Sequence, residues 1–392
     1  MSSRNLSCAF GVFLGGCLAA GPTYAQMRAE SPVAPDSITL PDATLPSESA
    51  TLRSWELSGN VRGVAGYKDN LLLSAQQPDE SLFVRTDAEM FWWRLPTERF
   101  EATAFANAIA THFLDATADK DELEAFVHGE ARWFIAPSFR TTLNAEGYYL
   151  DQVFDLSTSS AARQVAQLQV TGGLASVILH WQLGPKTSLA LKPGVQRDRY
   201  RDRSDDHRQR NASFTLTRQL GSHVEIAVEG RTMRRDYDYR TLFTSTGRSL
   251  AGTQLEFHQR EGELRLDVTW DAAQHWKTLT KIGGHDNRDS GSGYFDYDYR
   301  WAKQELRWRR DAWQARLAAR AGRYDYALQT VGIGILPPTR LREDFAAELH
   351  LERKFNERVR IFGAYQWERS RSNDPVTGYR VNTVFAGVDW SL

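Results

Sequence analysis

The sequence predicts an all-β chain folded as a transmembrane antiparallel up-and-down β-barrel of about 16 strands. Three observations lead there. Between Ser54 and Leu392, runs of roughly ten residues alternate apolar and polar side chains, the period of a strand with two different faces. The connections between runs are alternately short and long. Beyond residues 1–25 no apolar stretch approaches the ~20 residues of a spanning helix, and mean hydropathy is −0.50.

The chain opens with a segment that reads as a signal peptide, 1–25. Arg4 supplies its positive end, Cys8 to Ala20 its apolar body, and Thr23-Tyr24-Ala25 a small-x-small cleavage site before Gln26. A lipoprotein reading, with Leu14-Gly15-Gly16 ahead of Cys17, fits less well because of Gly15. Both cysteines, Cys8 and Cys17, fall in this segment, so the exported chain is expected to carry no disulfide and no thiol chemistry. Residues 26–53 are rich in Pro, Ser, Asp and Glu without a hydrophobic period and read as a flexible periplasmic lead-in. The barrel is expected over 54–392.

Within it the runs fall at 55–67, 81–94, 99–113, 122–136, 138–152, 166–183, 187–200, 208–220, 223–239, 255–271, 275–286, 296–310, 313–327, 340–355, 358–370 and 379–392. The clearest is Glu263 to Asp271, where Leu264, Leu266, Val268 and Trp270 oppose Glu263, Arg265, Asp267, Thr269 and Asp271. Phe345, Ala347, Leu349 and Leu351 oppose Glu348, His350 and Glu352 in the same way. The sixth run conflicts with itself: Val177, Leu179 and Trp181 break the face assigned from Val170 and Leu174. An even strand count, with short turns at one end and long loops at the other, is the outer-membrane pattern. Trp55, Trp133, Trp276, Trp313 and Trp390 stand near short-turn ends, where an indole suits the membrane–water interface. The terminal Val384 to Leu392 alternates to its last residue and resembles the closing strand read by the bacterial barrel-insertion machinery, although that pattern more often ends in Phe. The expected location is the outer membrane of a Gram-negative bacterium, with its lipids as partners.

A nine-residue stretch, Gly66-Tyr67-Lys68-Asp69-Asn70-Leu71-Leu72-Leu73-Ser74, carries a Tyr-x-Asp-Asn-aliphatic signature. It resembles a group of porin-like outer-membrane barrels associated with exopolysaccharide systems. That resemblance implies passage or export of polysaccharide. Lys68 departs from the acidic residue often found there, and no tetratricopeptide arm is present. Read from the residues alone, Asp69-Asn70 is a turn at a strand end.

If the alternation holds, the interior is ionic. Arg62, Arg85, Asp87, Glu89, Arg132, Arg140, Glu229, Arg231, Arg265, Asp267, Arg307, Arg316, Arg320, Glu348 and Arg360 are the expected lumen-lining residues. They either line an open or gated aqueous pore or pair into a network that plugs it. Arg235-Asp236-Tyr237-Asp238-Tyr239-Arg240 is echoed around Tyr297 and Tyr299 and around Tyr324 and Tyr326. These six tyrosines are candidate sugar contacts, or else members of an interfacial girdle. Asp236 and Asp238 lack the spacing of a calcium loop, and loop 68–80 could fold inward, though nothing in its composition demands it.

Other functions find little support. Net charge is −1, from 48 basic and 49 acidic residues, which gives no case for nucleic acid. There is no phosphate loop, no His-Glu-x-x-His, no nucleophile elbow and no ligand spacing among the nine histidines, so no cofactor and no metal are expected. A rim hydrolase would have to use His285 with Asp286 and Asp289, or His207 with Asp205 and Asp206. The main reading is a non-enzymatic transport barrel for hydrophilic solutes. The alternatives are a structural or adhesive barrel with a plugged lumen and, further off, the hydrolase.

Overall fold

The computed structural model describes residues 55–392 apart from 76–77, 117–119, 156–164 and 376. The expected signal peptide and lead-in lie outside the described residues. The strands are β1 (Trp55–Lys68), β2 (Ser81–Arg94), β3 (Phe100–Phe113), β4 (Asp121–Ala136), β5 (Phe139–Asp155), β6 (Val165–Gly184), β7 (Thr187–Tyr200), β8 (His207–Leu220), β9 (Val224–Tyr237), β10 (Leu242–Phe243), β11 (Ser249–Leu250), β12 (Glu256–Thr269), β13 (Trp276–Asp289), β14 (Tyr297–Arg310), β15 (Trp313–Thr330), β16 (Thr339–Lys354), β17 (Val359–Ser372) and β18 (Tyr379–Ser391). All but β10 and β11 close into one antiparallel barrel of 16 strands, each paired with its neighbours in sequence and β18 returning to β1. β10 and β11 form a small hairpin inside the long connection from β9 to β12. Each expected run coincides with a wall strand, its ends displaced by a few residues.

Alternation decides the two faces. Val61, Leu82, Val84, Leu143, Leu264, Ile282, Leu317, Leu349, Ile361 and Val384 are exposed, while their strand neighbours Arg62, Asp87, Asn144, Lys281, Glu348 and Thr383 are buried. In a closed wall the exposed side is the outside. An apolar exterior around a polar interior is a barrel built to sit in a bilayer, and a closed sheet leaves no edge unpaired in lipid. Trp55, Trp133, Trp276, Trp313 and Trp390 are all exposed at the short-turn ends, as interfacial anchors should be. Together these features place the chain in the outer membrane.

Register resolves the sixth strand. Val177 pairs with Leu143 and Trp181 with Phe139 on the outer face, whereas Val170 pairs with Leu150, both buried on the inner face. Of the two conflicting sets, Val177 and Trp181 therefore mark the lipid face and Val170 the inner one. The inner face becomes apolar toward the long-loop end, where side chains pack on one another rather than meet water. Aromatic rings also lie over inward-facing glycines: a Cβ on Gly172 would stand 2.2 Å from the Tyr148 ring, and one on Gly387 would stand 2.7 Å from that of Phe362. This is why glycine is required at these two strand positions.

The barrel seam explains the Tyr-x-Asp-Asn signature. Just past β1, the Asp69 carboxylate accepts the Asn382 backbone N–H (2.7 Å) and side-chain amide (2.5 Å), and the Asp69 N–H donates to the Asn382 carbonyl (3.1 Å). Buried Asn70 donates to the Ser74 and Arg380 carbonyls (2.8 and 3.0 Å) and accepts the Ser74 N–H (2.7 Å). The turn read from these residues is present, and it also ties the first strand to the last.

Candidate functional site: the barrel interior

The charged residues predicted for the lumen share the inner face. Arg62 lies opposite Asp87, Arg307 opposite Arg316, and Glu229 opposite Glu263. Most of the charges are paired along the wall. Arg62 bonds Asp87 at 2.8 Å and Asp389 at 3.3 Å across the seam. Arg132 bridges Glu101 (2.7 Å) and Glu130 (2.6 Å). Arg231 lies between Glu229 (3.3 Å) and Glu261 (3.4 Å), and Arg265 reaches Glu225 at 2.6 Å. Arg316 joins Glu305 (3.3 Å) to Glu348 (3.6 Å), Glu305 also holds Arg307, and Arg360 meets Glu352 at 3.4 Å.

These pairs connect residues on one strand or on adjacent strands, so they hold the side chains against the wall. The Nε atoms of Arg132, Arg265 and Arg316 are buried without a protein acceptor. Arg85 lies over the Phe385 ring at 4.9 Å, and Arg320 lies over Tyr299 and Trp301 at 5.8 and 5.5 Å. Glu89, Arg140 and Asp267 occupy the same face, at register positions next to Asn107, His180 and Leu279.

The tyrosines are placed differently from either expectation. Tyr237, Tyr297, Tyr299, Tyr324 and Tyr326 point inward and are 1–3% exposed, so they form no outward girdle. Tyr299 stacks on Tyr324 with ring centroids 4.1 Å apart, and Arg340 covers Tyr326. Their faces are thus covered by each other and by arginines, and only Tyr239 offers an exposed ring. Strand period explains this: Tyr237, Tyr297, Tyr299, Tyr324 and Tyr326 fall on the inner parity of β9, β14 and β15, and Asp236, Asp298 and Asp325 on the outer, while Tyr239 lies past the end of β9.

The same period separates the residues of the hydrolase reading. His285 points inward between Tyr297 and Tyr299, whereas Asp286 takes the outer face and Asp289 holds the loop N–H groups of Gly291, Gly293 and Phe295. His207 Nε2 lies 3.2 Å from Asp198, while Asp206 accepts the Tyr200 N–H. Neither cluster assembles. Asp236 and Asp238 are held by Arg234 and Arg197, the latter drawing the Asp238 carboxyl below the ordinary carboxylate range. Among the described residues no group of three His, Cys, Asp or Glu is arranged to hold a metal.

Several inner-face features were not anticipated. Asp389 could have been read from its place between Val388 and Trp390. Buried Asp198, which holds Tyr148, Gln196 and His207, could not, because it joins β5 to β7 across β6. Leu71 and Leu73 of loop 68–80 do turn inward: Leu71 packs with Phe83, Phe113 and Phe385, and Leu73 packs with Tyr379 and Val381. Phe243 of the β10–β11 hairpin packs on Phe295 near Tyr237 and Phe257.

No protein-family model and no curated protein matches the sequence. Among solved structures, the chain is similar to OccAB3 of Acinetobacter baumannii (12% identity, TM-score 0.47, covering 86% of this chain and 99% of that one). It is similar to OccK3 of Pseudomonas aeruginosa (13%, 0.47, 86% and 96%) and to a bacterial polysaccharide outer membrane secretin (8%, 0.44, 86% and 97%). Likeness at this level says nothing about solute or partner.

Proposed function

We propose that the barrel passes hydrophilic solutes across the outer membrane, with sugar polymers as the finer candidate class. The observation that carries the reading is the inner face, whose charges of both signs are paired sideways along the wall. Strands about 4.8 Å apart and tilted by about 40° close at a backbone radius of about 16 Å for a barrel of this size. Side chains held against such a wall leave an aqueous bore. Mixed charge sets a polar path without strong selection for either ion sign. The sugar assignment rests on the resemblance carried by the Gly66 to Ser74 signature at the seam. The test is conductance in planar bilayers: discrete steps, reduced by added soluble oligosaccharide, support it. Efficient insertion with no conductance would refute passage.

A second reading, a plugged structural or adhesive barrel, draws on the inward tuck of Leu71 and Leu73 and on the hairpin at the mouth. It predicts insertion without conductance, and no gain of conductance when residues 70–79 are shortened.

A further inference from the structure

The outer face carries charge where a lipid-facing wall would be expected to stay apolar. Near the long-loop ends of β7, β8, β12 and β14, the residues Arg199, Arg208, Arg210, Arg260 and Arg300 all take the outward position and are exposed. Directly beneath them the same face turns apolar, with exposed Val195, Phe214, Leu264 and Ile282. Register sets arginine against arginine, Arg197 opposite Arg208 and Arg210 opposite Arg234. Facing like charges destabilise a strand pair unless an anion lies between them.

The nearby carboxylates bond only one arginine of each facing pair. Asp236 and Glu256 both hold Arg234 (2.8 and 2.7 Å), Asp298 holds Arg288 (2.7 Å), and Asp238 holds Arg197. Among the described residues, Arg199, Arg210 and Arg300 form no ion pair with a carboxylate; Arg208 lies near Asp238, and Arg260 stands opposite Asp286 across β12 and β13. Beside this arc is a groove of ≈ 390 Å³, with Arg260, Asp286, Asp298 and Arg300 around Gly262 and Gly284. Those two glycines are paired directly across β12 and β13. With no side chain on either, backbone forms the floor.

Guanidinium groups at the top of an apolar belt fit one chemistry: phosphate on a lipid whose chains lie along the belt. Long loops face the exterior in barrels of this type, so the lipid is one of the outer leaflet. We propose that this arc binds the phosphate groups of an outer-leaflet glycolipid, the groove between Arg260 and Arg300 seating a phosphorylated sugar headgroup. This is independent of what passes through the bore.

The test is native mass spectrometry of the purified, folded barrel titrated with bis-phosphorylated lipid A, its dephosphorylated form, and the phosphorylated form with inorganic phosphate as competitor. The phosphorylated lipid should bind, the dephosphorylated lipid should bind at least about tenfold more weakly, and inorganic phosphate should not displace the bound lipid. The double variant Arg260→Ala/Arg300→Ala should lose about tenfold in affinity, with Arg260→Lys/Arg300→Lys in between, because lysine keeps charge but not the planar fork. A heat-shift on gels confirms that each variant is folded. Equal binding of the dephosphorylated lipid, unchanged affinity in the folded alanine variant, or displacement by inorganic phosphate would each overturn the proposal. If the alanine variant fails to fold, the comparison of lipids on the unaltered protein decides alone.

Discussion

Replacing Asn70 by alanine should loosen the barrel seam and release the inward-turned loop together. Asn70 is 2% exposed and makes three side-chain bonds, two as donor to the Ser74 and Arg380 carbonyls and one as acceptor from the Ser74 N–H. Neutral hydrogen bonds contribute about 0.5–1.5 kcal/mol each, and a buried group left unpaired costs about 1–3 kcal/mol. Part of the freed backbone lies close to loop solvent, so a loss of about 2–4 kcal/mol follows. Asn70 also fixes the turn in which Leu73 adopts a φ of 50°, a left-handed conformation that a leucine adopts only when held. Without it, Leu71 and Leu73 lose their place on the inner wall. The assay is equilibrium urea unfolding from lipid vesicles, with single-channel conductance measured on the same preparation. Asn70→Asp discriminates further: it keeps the acceptor for Ser74 N–H but sets a carboxylate against two carbonyls, so it should be at least as damaging as alanine. Unchanged urea stability in both variants would refute the latch.

Other outcomes follow from the same geometry. Asp271, in the turn between β12 and β13, accepts the Trp276 N–H at 3.0 Å and contacts His275 at 2.7 Å, and these bonds hold its carboxyl below the ordinary value of 3.8. A lowered folded pKa gives stability that is fully present above that value and is lost as pH falls through the folded pKa. Asp271→Ala should therefore lower urea stability at neutral pH and match the unaltered protein at strongly acidic pH; a difference that persists in acid would count against it. Glu305→Gln with Glu348→Gln removes two inner carboxylates beside Arg307 and Arg316, and should shift the reversal potential in a salt gradient toward anion selectivity. An unmoved potential would mean that these residues do not line the conducting path. Glu305→Ala leaves two arginines beside an empty buried position and should cost about 3 kcal/mol in urea unfolding. Gly172→Ala drives a Cβ to 2.2 Å from the Tyr148 ring and should displace Tyr148 from Asp198, lowering stability by about 1–3 kcal/mol.

Period two was legible from the residues alone, and with it the strand count and the inner membership of Arg62, Arg231, Arg316 and Glu348. A side chain's face depends only on the parity of its position along a strand, which is a local property. The tyrosines show where this stopped: sugar contact and interfacial girdle stayed open for them, although parity alone puts Tyr237 and Tyr299 on the inner face. The sixth strand stayed ambiguous because apolar residues occupy both of its faces, the inner wall at its long-loop end being itself packed and apolar.

The sequence by itself determined the wall, because alternation, turn chemistry and an aromatic end-belt each act over a few residues. Only the tertiary structure decided which charges share a bond, that Asp198 joins Tyr148 to His207, that Asp69 and Asn70 tie the first strand to the last, and that arginines line up outside above the apolar belt. The physical reason is register. Partners on strands far apart in the chain meet only once the sheet has closed, and no local preference records that meeting.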